Sequence, residues 1–335
     1  MKKVFLAILL LGLDAAIAAG ESCRQLPSSG GQFGCSVDLH GDVLAVGANL
    51  GGAGSVSLCF RGDLGEWSEC KPLTPTDGRP GDEFGRSVAV DEGWLAVGAP
   101  FANGSGVVYI YRSAGGFMTL QQKLVATDAA RGDQFGLTLA LSGGILIVGA
   151  PNSVGNAGSL SGAVYVFHLD GGTWTQGPKL TAGDAAPFDN FGFSLAIDGT
   201  TIVVGAPFRD GVAGNSGAAY VFERDGAVWN QRARLTASDG AAGDEFGSAV
   251  AVSGDALAVG ARTDDVNGMR DAGSAYVYEQ SGTEQGVTSW REVVHFFGQA
   301  AGDRFGAAVS MSGNRLLIGA LLHDGSGPES GAAYL

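Results

Sequence analysis

The 335-residue chain is poor in cysteine (4), histidine (4) and proline (10), and charged residues make up only 16% of it. Each shortage excludes something. Scarce proline without a Gly-X-Y period rules out collagen despite 57 glycines. A 45% hydrophobic share rules out intrinsic disorder, because that much apolar surface can build a large core. Bases are outnumbered, 20 against 34 acids, and the net charge of −14 repels phosphate backbones and anionic lipid. Nucleic acid is therefore not an expected partner. The apolar run from Val4 to Leu13 is too short to span a bilayer, and no later stretch approaches the roughly 18 apolar residues required, so membrane insertion is not expected either. A 3.6-residue period is missing throughout, which excludes helical bundles. No G-x-S-x-G, H-E-x-x-H or phosphate-cradling motif occurs, and His40, His168, His295 and His323 share no register. No catalytic residue is identified.

The N-terminus and the cysteines point to export. Lys2 and Lys3 precede the apolar run, and Ala16-Ile17-Ala18 has the form of a signal-peptidase site, so residues 1–18 read as a signal peptide and 19–335 as the mature domain, secreted or at the cell surface. Cys23, Cys35, Cys59 and Cys70 are an even set in a chain bound for an oxidising compartment. Cys59 and Cys70 flank an expected hairpin, which favours a Cys59–Cys70 bridge and leaves Cys23 with Cys35 by remainder. Zinc is the weaker reading, since there is no C-x-x-C pair.

What is abundant is repetition. Phe-Gly recurs at Phe33, Phe84, Phe135, Phe191, Phe246 and Phe305, and a Gly-Ala pair follows 14 residues after each Phe, from Gly47-Ala48 to Gly319-Ala320. Between the two marks lie two apolar runs around a short glycine-bearing turn, as in Ser87–Val90, Asp91-Glu92-Gly93 and Trp94–Gly98, which predicts a tight hairpin. A variable Gly-rich loop leads to a third run such as Ala163–Phe167. A fourth run starts at an aromatic residue, Trp67, Phe117, Trp174, Trp229 or Trp290, and usually ends in a basic residue and Leu. Four short strands per unit, in units starting near 27, 74, 125, 181, 236 and 295, predict an all-β propeller of four-stranded blades. Six blades, or a truncated set of seven, fit the count. Cys23–Leu26 aligns with a fourth-strand ending and could complete the last blade.

Gly81-Asp82-Glu83-Phe84-Gly85 together with Val97-Gly98-Ala99-Pro100 resembles the FG-GAP repeat of integrin α-subunit propellers, and the resemblance runs from 27 to 335. It implies a β-propeller used for extracellular binding or adhesion. The chain departs from the integrin type in one respect: no D-x-D-x-D-G calcium loop lies between the marks, where Asp91 and Glu92 are the most acidic turn. Calcium at the family position is therefore not expected, and a cation would have to bind elsewhere.

The expected strand order gathers the loops between strands two and three, and those between strand four and the next blade, on one face, which is acidic. The Asp of each G-D-x-F-G mark, and the Asp seven residues before Phe (Asp77, Asp128, Asp184, Asp239), recur blade by blade and read as turn acceptors. Acids peculiar to one loop are better ligand candidates: Asp210, Asp264, Asp265, Asn267, Asp271 and Asp324. They suit a cation or an extracellular protein or glycan partner. Arg61-Gly62-Asp63 reads as a chance triplet, since Arg131-Gly132-Asp133 arises from the repeat mark itself, and Asn103-Gly104-Ser105 is a glycosylation sequon. The expected function is an exported binding or adhesion module. The alternatives are a structural repeat domain of a larger surface protein, or a carboxylate-based glycan hydrolase or lyase.

Overall fold

The structure, a computed structural model, describes residues 31–335 apart from 63, 64, 156, 157, 159, 212, 285, 286, 326, 328 and 329. The signal-peptide assignment, Cys23 and the Cys23–Leu26 strand lie outside the described residues. The first blade holds β1 (Gly31–His40), β2 (Val43–Leu50), β3 (Ser55–Phe60) and β4 (Lys71–Leu73). The second holds β5 (Ser87–Asp91), β6 (Trp94–Ala99), β7 (Val107–Ala114) and β8 (Phe117–Leu124). The third holds β9 (Thr138–Ser142), β10 (Ile145–Ala150), β11 (Ala163–Asp170) and β12 (Thr173–Leu180). The fourth holds β13 (Ser194–Asp198), β14 (Thr201–Ala206), β15 (Ala218–Asp225) and β16 (Val228–Leu235). The fifth holds β17 (Phe246–Ser253), β18 (Ala256–Ala261), β19 (Ser274–Glu284) and β20 (Val287–Phe297). The sixth holds β21 (Phe305–Ser312), β22 (Arg315–Ala320) and β23 (Ala332–Tyr334). Each sheet is an antiparallel meander in chain order, and the six form a six-bladed propeller.

The two repeat marks are what join one blade to the next. The N–H of Gly136 donates to Gly149 O in its own blade at 3.0 Å, while the carbonyl of Gly136 faces Gly98 of the preceding blade so closely that a Cβ on Gly98 would lie 2.0 Å from it. The Ser87 hydroxyl donates to the same Gly136 carbonyl at 2.7 Å. Ser36 to Gly85, Thr138 to Gly192 and Ser194 to Gly247 repeat that bond. The constant spacing of 14 residues thus has a steric cause: one glycine must adopt a positive φ and the other must carry no side chain.

Burial follows from this stacking. Second strands β6, β10 and β14 are buried along their whole length, whereas the outer strand β8 is mostly exposed and buries only its last residue, Leu124. Phe84, Phe135, Phe191 and Phe246 of the Phe-Gly marks each meet two aromatic rings edge-on, as Phe135 does with Tyr165 and Phe167 at 5.5 and 6.0 Å, while Phe305 meets Tyr334. Five apolar clusters result among the described residues. The cluster involving the sixth blade is the smallest, with four buried residues, and β22 is only partly covered.

The hairpin turns take the expected positive φ, for example 54° at Gly199 and 56° at Gly254. Two fourth strands differ from the sequence expectation. In the first blade, Trp67 pairs with Arg61 through an isolated bridge and the strand proper begins at Lys71, because the Ser68 hydroxyl accepts the Phe60 N–H at 3.0 Å in place of a ladder partner. In the fifth, Trp290 lies inside an eleven-residue strand rather than at its start. The Cys59–Cys70 disulfide is present as expected. Among the described residues Cys35 has no disulfide partner, and its thiol donates to Gly85 O at 3.3 Å.

Candidate functional site

Strand order does bring the two sets of loops to one face. The N–H of Gly132, before the third blade's Phe, donates to Gly104 O in the strand two-to-three loop of the blade before it, and Gly243 does the same with Gly214. The recurrent acids on this face are engaged in holding it together. Asp82, Asp133, Asp189, Asp244 and Asp303 each accept the backbone N–H three residues back. Asp189 and Asp244 are pushed above the ordinary carboxylate range by burial, against the pull of those N–H groups, and for Asp244 the nearby Asp264, Asp239 and Asp265 push further.

The second recurrent acid meets a tyrosine and a cation on the next blade's third and fourth strands. Tyr109 donates to Asp77 at 3.3 Å, and Lys123, opposite Tyr109 in the ladder, reaches the other carboxylate oxygen at 2.5 Å. Tyr165 donates to Asp128 at 2.8 Å, with Lys179 at 2.7 Å. Asp184 takes Arg234 at 2.8 Å and Arg209 at 3.5 Å. The Lys123 hydrogen bond holds Asp77 below its usual pKa, and Asp128 and Asp184 are lowered by their cations despite the raising effect of burial.

The fifth blade breaks the pattern. His295 stands opposite Tyr276, at the ladder position of the lysines and of Arg234. Asp264 occupies the loop position that Arg209 fills in the fourth blade, four residues after the glycine of the Gly-Ala mark. The Tyr276 hydroxyl lies 2.8 Å from Asp239 Oδ1 and 3.2 Å from Asp264 Oδ2. Its titration is pushed far up by burial, then by Asp264. The His295 ring stacks on Tyr276 with centroids 4.2 Å apart. Its Nδ1 is 3.6 Å from Asp239 Oδ2, and its Nε2 is 3.0 Å from Ser274 Oγ, whose hydroxyl donates to Asp264. One ligand atom from each of Asp239, Asp264 and His295 falls within a mutual distance of 4.8 Å.

The loop-specific residues named from the sequence are thereby divided. Asp264 is buried, 7% exposed, and joins Asp239 and His295 rather than its sequence neighbours. Asp265 is exposed and accepts the Asp271 N–H at 2.8 Å within the loop, and Asn267 is exposed beside it. Asp210 accepts the Asn215 N–H at 2.9 Å in a separate exposed loop, and Asp324 is exposed in the sixth blade. Asn103 is exposed at the centre of the short 3₁₀ turn Ala102–Gly104. His295 and Asp239 were not among the ligand candidates, although a histidine in register with Lys123, Lys179 and Arg234 was a legible signal.

A central channel of about 830 Å³ runs between the blades, lined by first-strand side chains such as Val88, Leu139, Ile197 and Val250. Asp38 also borders it. Burial pushes its carboxyl up to about 6, although the Val90 and Leu39 N–H groups donate to it at 2.6 and 2.9 Å. The folded chain therefore retains a proton that the unfolded chain releases near pH 4, so this group's contribution to stability falls as pH rises from about 4 to about 6, by up to ~3 kcal/mol. Denaturant midpoints measured between pH 4 and 7 should show that decline, and Asp38→Asn should flatten it.

The FG-GAP repeat family matches at residues 67–111, 118–167, 174–222, 229–278 and 297–335. Integrin alpha-7 of Rattus norvegicus and of Mus musculus are each 34% identical over 128 residues, 34% of this chain and 11% of the integrin. Among solved structures, the periplasmic gluconolactonase of Pseudomonas aeruginosa superposes with a TM-score of 0.51 at 16% identity, covering 79% of this chain and 70% of that one. That likeness concerns the fold. No described helix is long and apolar enough to cross a membrane. With repeats matched over more than half of its length, on the marks that join its blades, the chain belongs to the FG-GAP repeat family.

Proposed function

We propose that this chain is an exported binding or adhesion module whose acidic loop face engages an extracellular protein or glycan. One contrast carries the reading. The marks beneath the face are fixed by steric contact between blades, while the loops after each Gly-Ala pair differ in sequence and length and hold exposed Asp210, Asp265, Asn267 and Asp324. A rigid scaffold bearing variable polar loops is the usual construction of a recognition surface. The Cys59–Cys70 disulfide supports an oxidising compartment. The same face would serve if the chain is one domain of a larger surface protein.

The purified chain, applied to a glycan array and to an array of extracellular proteins, should give saturable binding to one class. The variant Asp210→Asn/Asp265→Asn/Asp271→Asn should bind about tenfold or more weakly while keeping its thermal midpoint, a loss of ~1.4 kcal/mol. Equal binding by the variant, or no saturable binding to either class, would overturn the reading.

A further inference from the structure

In three blades the repeat holds a positive charge at one place. Asp77 grips Lys123, Asp128 grips Lys179, and Asp184 grips Arg234 and Arg209. In the fifth blade the chain supplies no permanent cation there. Both basic positions are altered, Arg209 to Asp264 and Arg234 to His295, so the pocket loses two positive charges and gains a carboxylate. Among the described residues no lysine or arginine lies within 4 Å of Asp239 or Asp264, and Arg262, the nearest base in the loop sequence, is bound to Glu245 at 2.6 Å. Asp264 is more than nine-tenths buried, where an ionised carboxylate without a counter-charge is costly.

Proton accounting sharpens the point. An ionised Asp264 can only accept, so the Ser274 proton goes to it and Ser274 Oγ is left to accept from His295 Nε2. In the neutral ring Nδ1 is then a bare lone pair, 3.6 Å from the Asp239 carboxylate. Two negative poles face each other across a gap that a small cation would fill. A proton on Nδ1 would also relieve the repulsion, but it leaves two carboxylates against one charge.

We propose that Asp239, Asp264 and His295 form a binding site for a divalent transition-metal cation, standing where the other blades place a lysine or arginine. Two carboxylate oxygens and one imidazole nitrogen suit Zn²⁺ or Mn²⁺, whereas Ca²⁺ favours six to eight oxygen ligands. Asp239 and the edge of His295 are open to solvent, with side chains 55% and 24% exposed, which provides an entry path and leaves coordination positions for water or a ligand group. The site lies in the loop face but outside the interval between the two repeat marks. It does not depend on the binding role proposed above.

The test uses full-length chain carrying no histidine tag, stripped with chelator and then titrated at pH 7.5 with ZnCl₂, MnCl₂ or CaCl₂. Zn²⁺ or Mn²⁺ should bind at one equivalent and raise the thermal midpoint by about 4 °C or more at large excess over Kd, with CaCl₂ much weaker. His295→Lys, which restores the residue type of the sister blades, should fold normally and lose the metal response. Asp264→Asn should weaken the metal response at least tenfold. Failure to bind either transition metal, or an undiminished response in both variants, would overturn the assignment.

Discussion

Gly205→Ala should lower stability by about 3 kcal/mol or more and the thermal midpoint by roughly 6–12 °C, a large effect for the addition of one methyl group. The added Cβ would lie 2.0 Å from Gly247 O and 2.2 Å from Ser194 Oγ. The serine can rotate away, but the carbonyl cannot, because it belongs to the next blade's Phe-Gly turn and accepts the Ser194 hydroxyl at 2.8 Å. Relief therefore requires the fourth and fifth blades to separate, and that would open the apolar cluster containing Val203, Ala219 and Phe246. Gly226→Ala is the control. It also places alanine on a glycine, at φ +60°, but nothing lies within 4 Å of the new Cβ, so only backbone strain of ~1 kcal/mol is expected. Thermal melts of the two variants side by side separate close approach from conformational strain. Equal losses would mean that the Gly-Ala mark is not a steric requirement.

The second large effect concerns the aromatic half of the repeat. Phe135→Ala should cost about 3–5 kcal/mol, because the ring is fully buried and its removal leaves a cavity between Tyr165, Phe167 and the apolar side chains of two blades. Phe305→Ala, chemically the same change at the same repeat position, should cost at least ~1 kcal/mol less. Phe305 belongs to a cluster of four buried residues, with Tyr334 as its aromatic neighbour at 5.2 Å, and the partly covered strand beside it can collapse into the gap. Denaturant unfolding of both variants measures the difference. Equal costs would show that the sixth blade is packed as firmly as the third.

The fold was legible because its determinants are local and repeated six times. The fixed spacing from Phe to Gly-Ala encodes a contact between adjacent blades, and glycine at each hairpin turn encodes positive φ, so composition and spacing were enough. The first blade's fourth strand was misplaced because the Ser68 hydroxyl, a side-chain acceptor with no distinctive pattern, takes the N–H that a ladder would have used. The candidate site was half legible. Asp264 was singled out for its acidic neighbours Asp265 and Asp271, yet those remain in the exposed loop or its edge, and the residues that join Asp264 are 25 positions before it and 31 after it. What betrays them is substitution within the repeat. A histidine in the lysine register and an aspartate in the arginine register are each unremarkable alone, and become informative once both fall on one acid. Asp239 was read as a turn acceptor, whereas it takes the Tyr276 hydroxyl, and it was not read as a ligand, since its three counterparts are neutralised by cations.

Among the described residues the Gly-Ala mark of one blade meets the Phe-Gly mark of the next in the same way at successive junctions, from Gly47 with Gly85 to Gly260 with Gly306. Each of the second to fifth units therefore carries both halves of a standard coupling, one for the unit before it and one for the unit after. A duplicated or deleted unit would present the same surfaces to its new neighbours, so blade number can change in evolution without inventing a new interface. Loops standing above such a coupling are released from architectural duty, and each is free to acquire chemistry that its siblings lack.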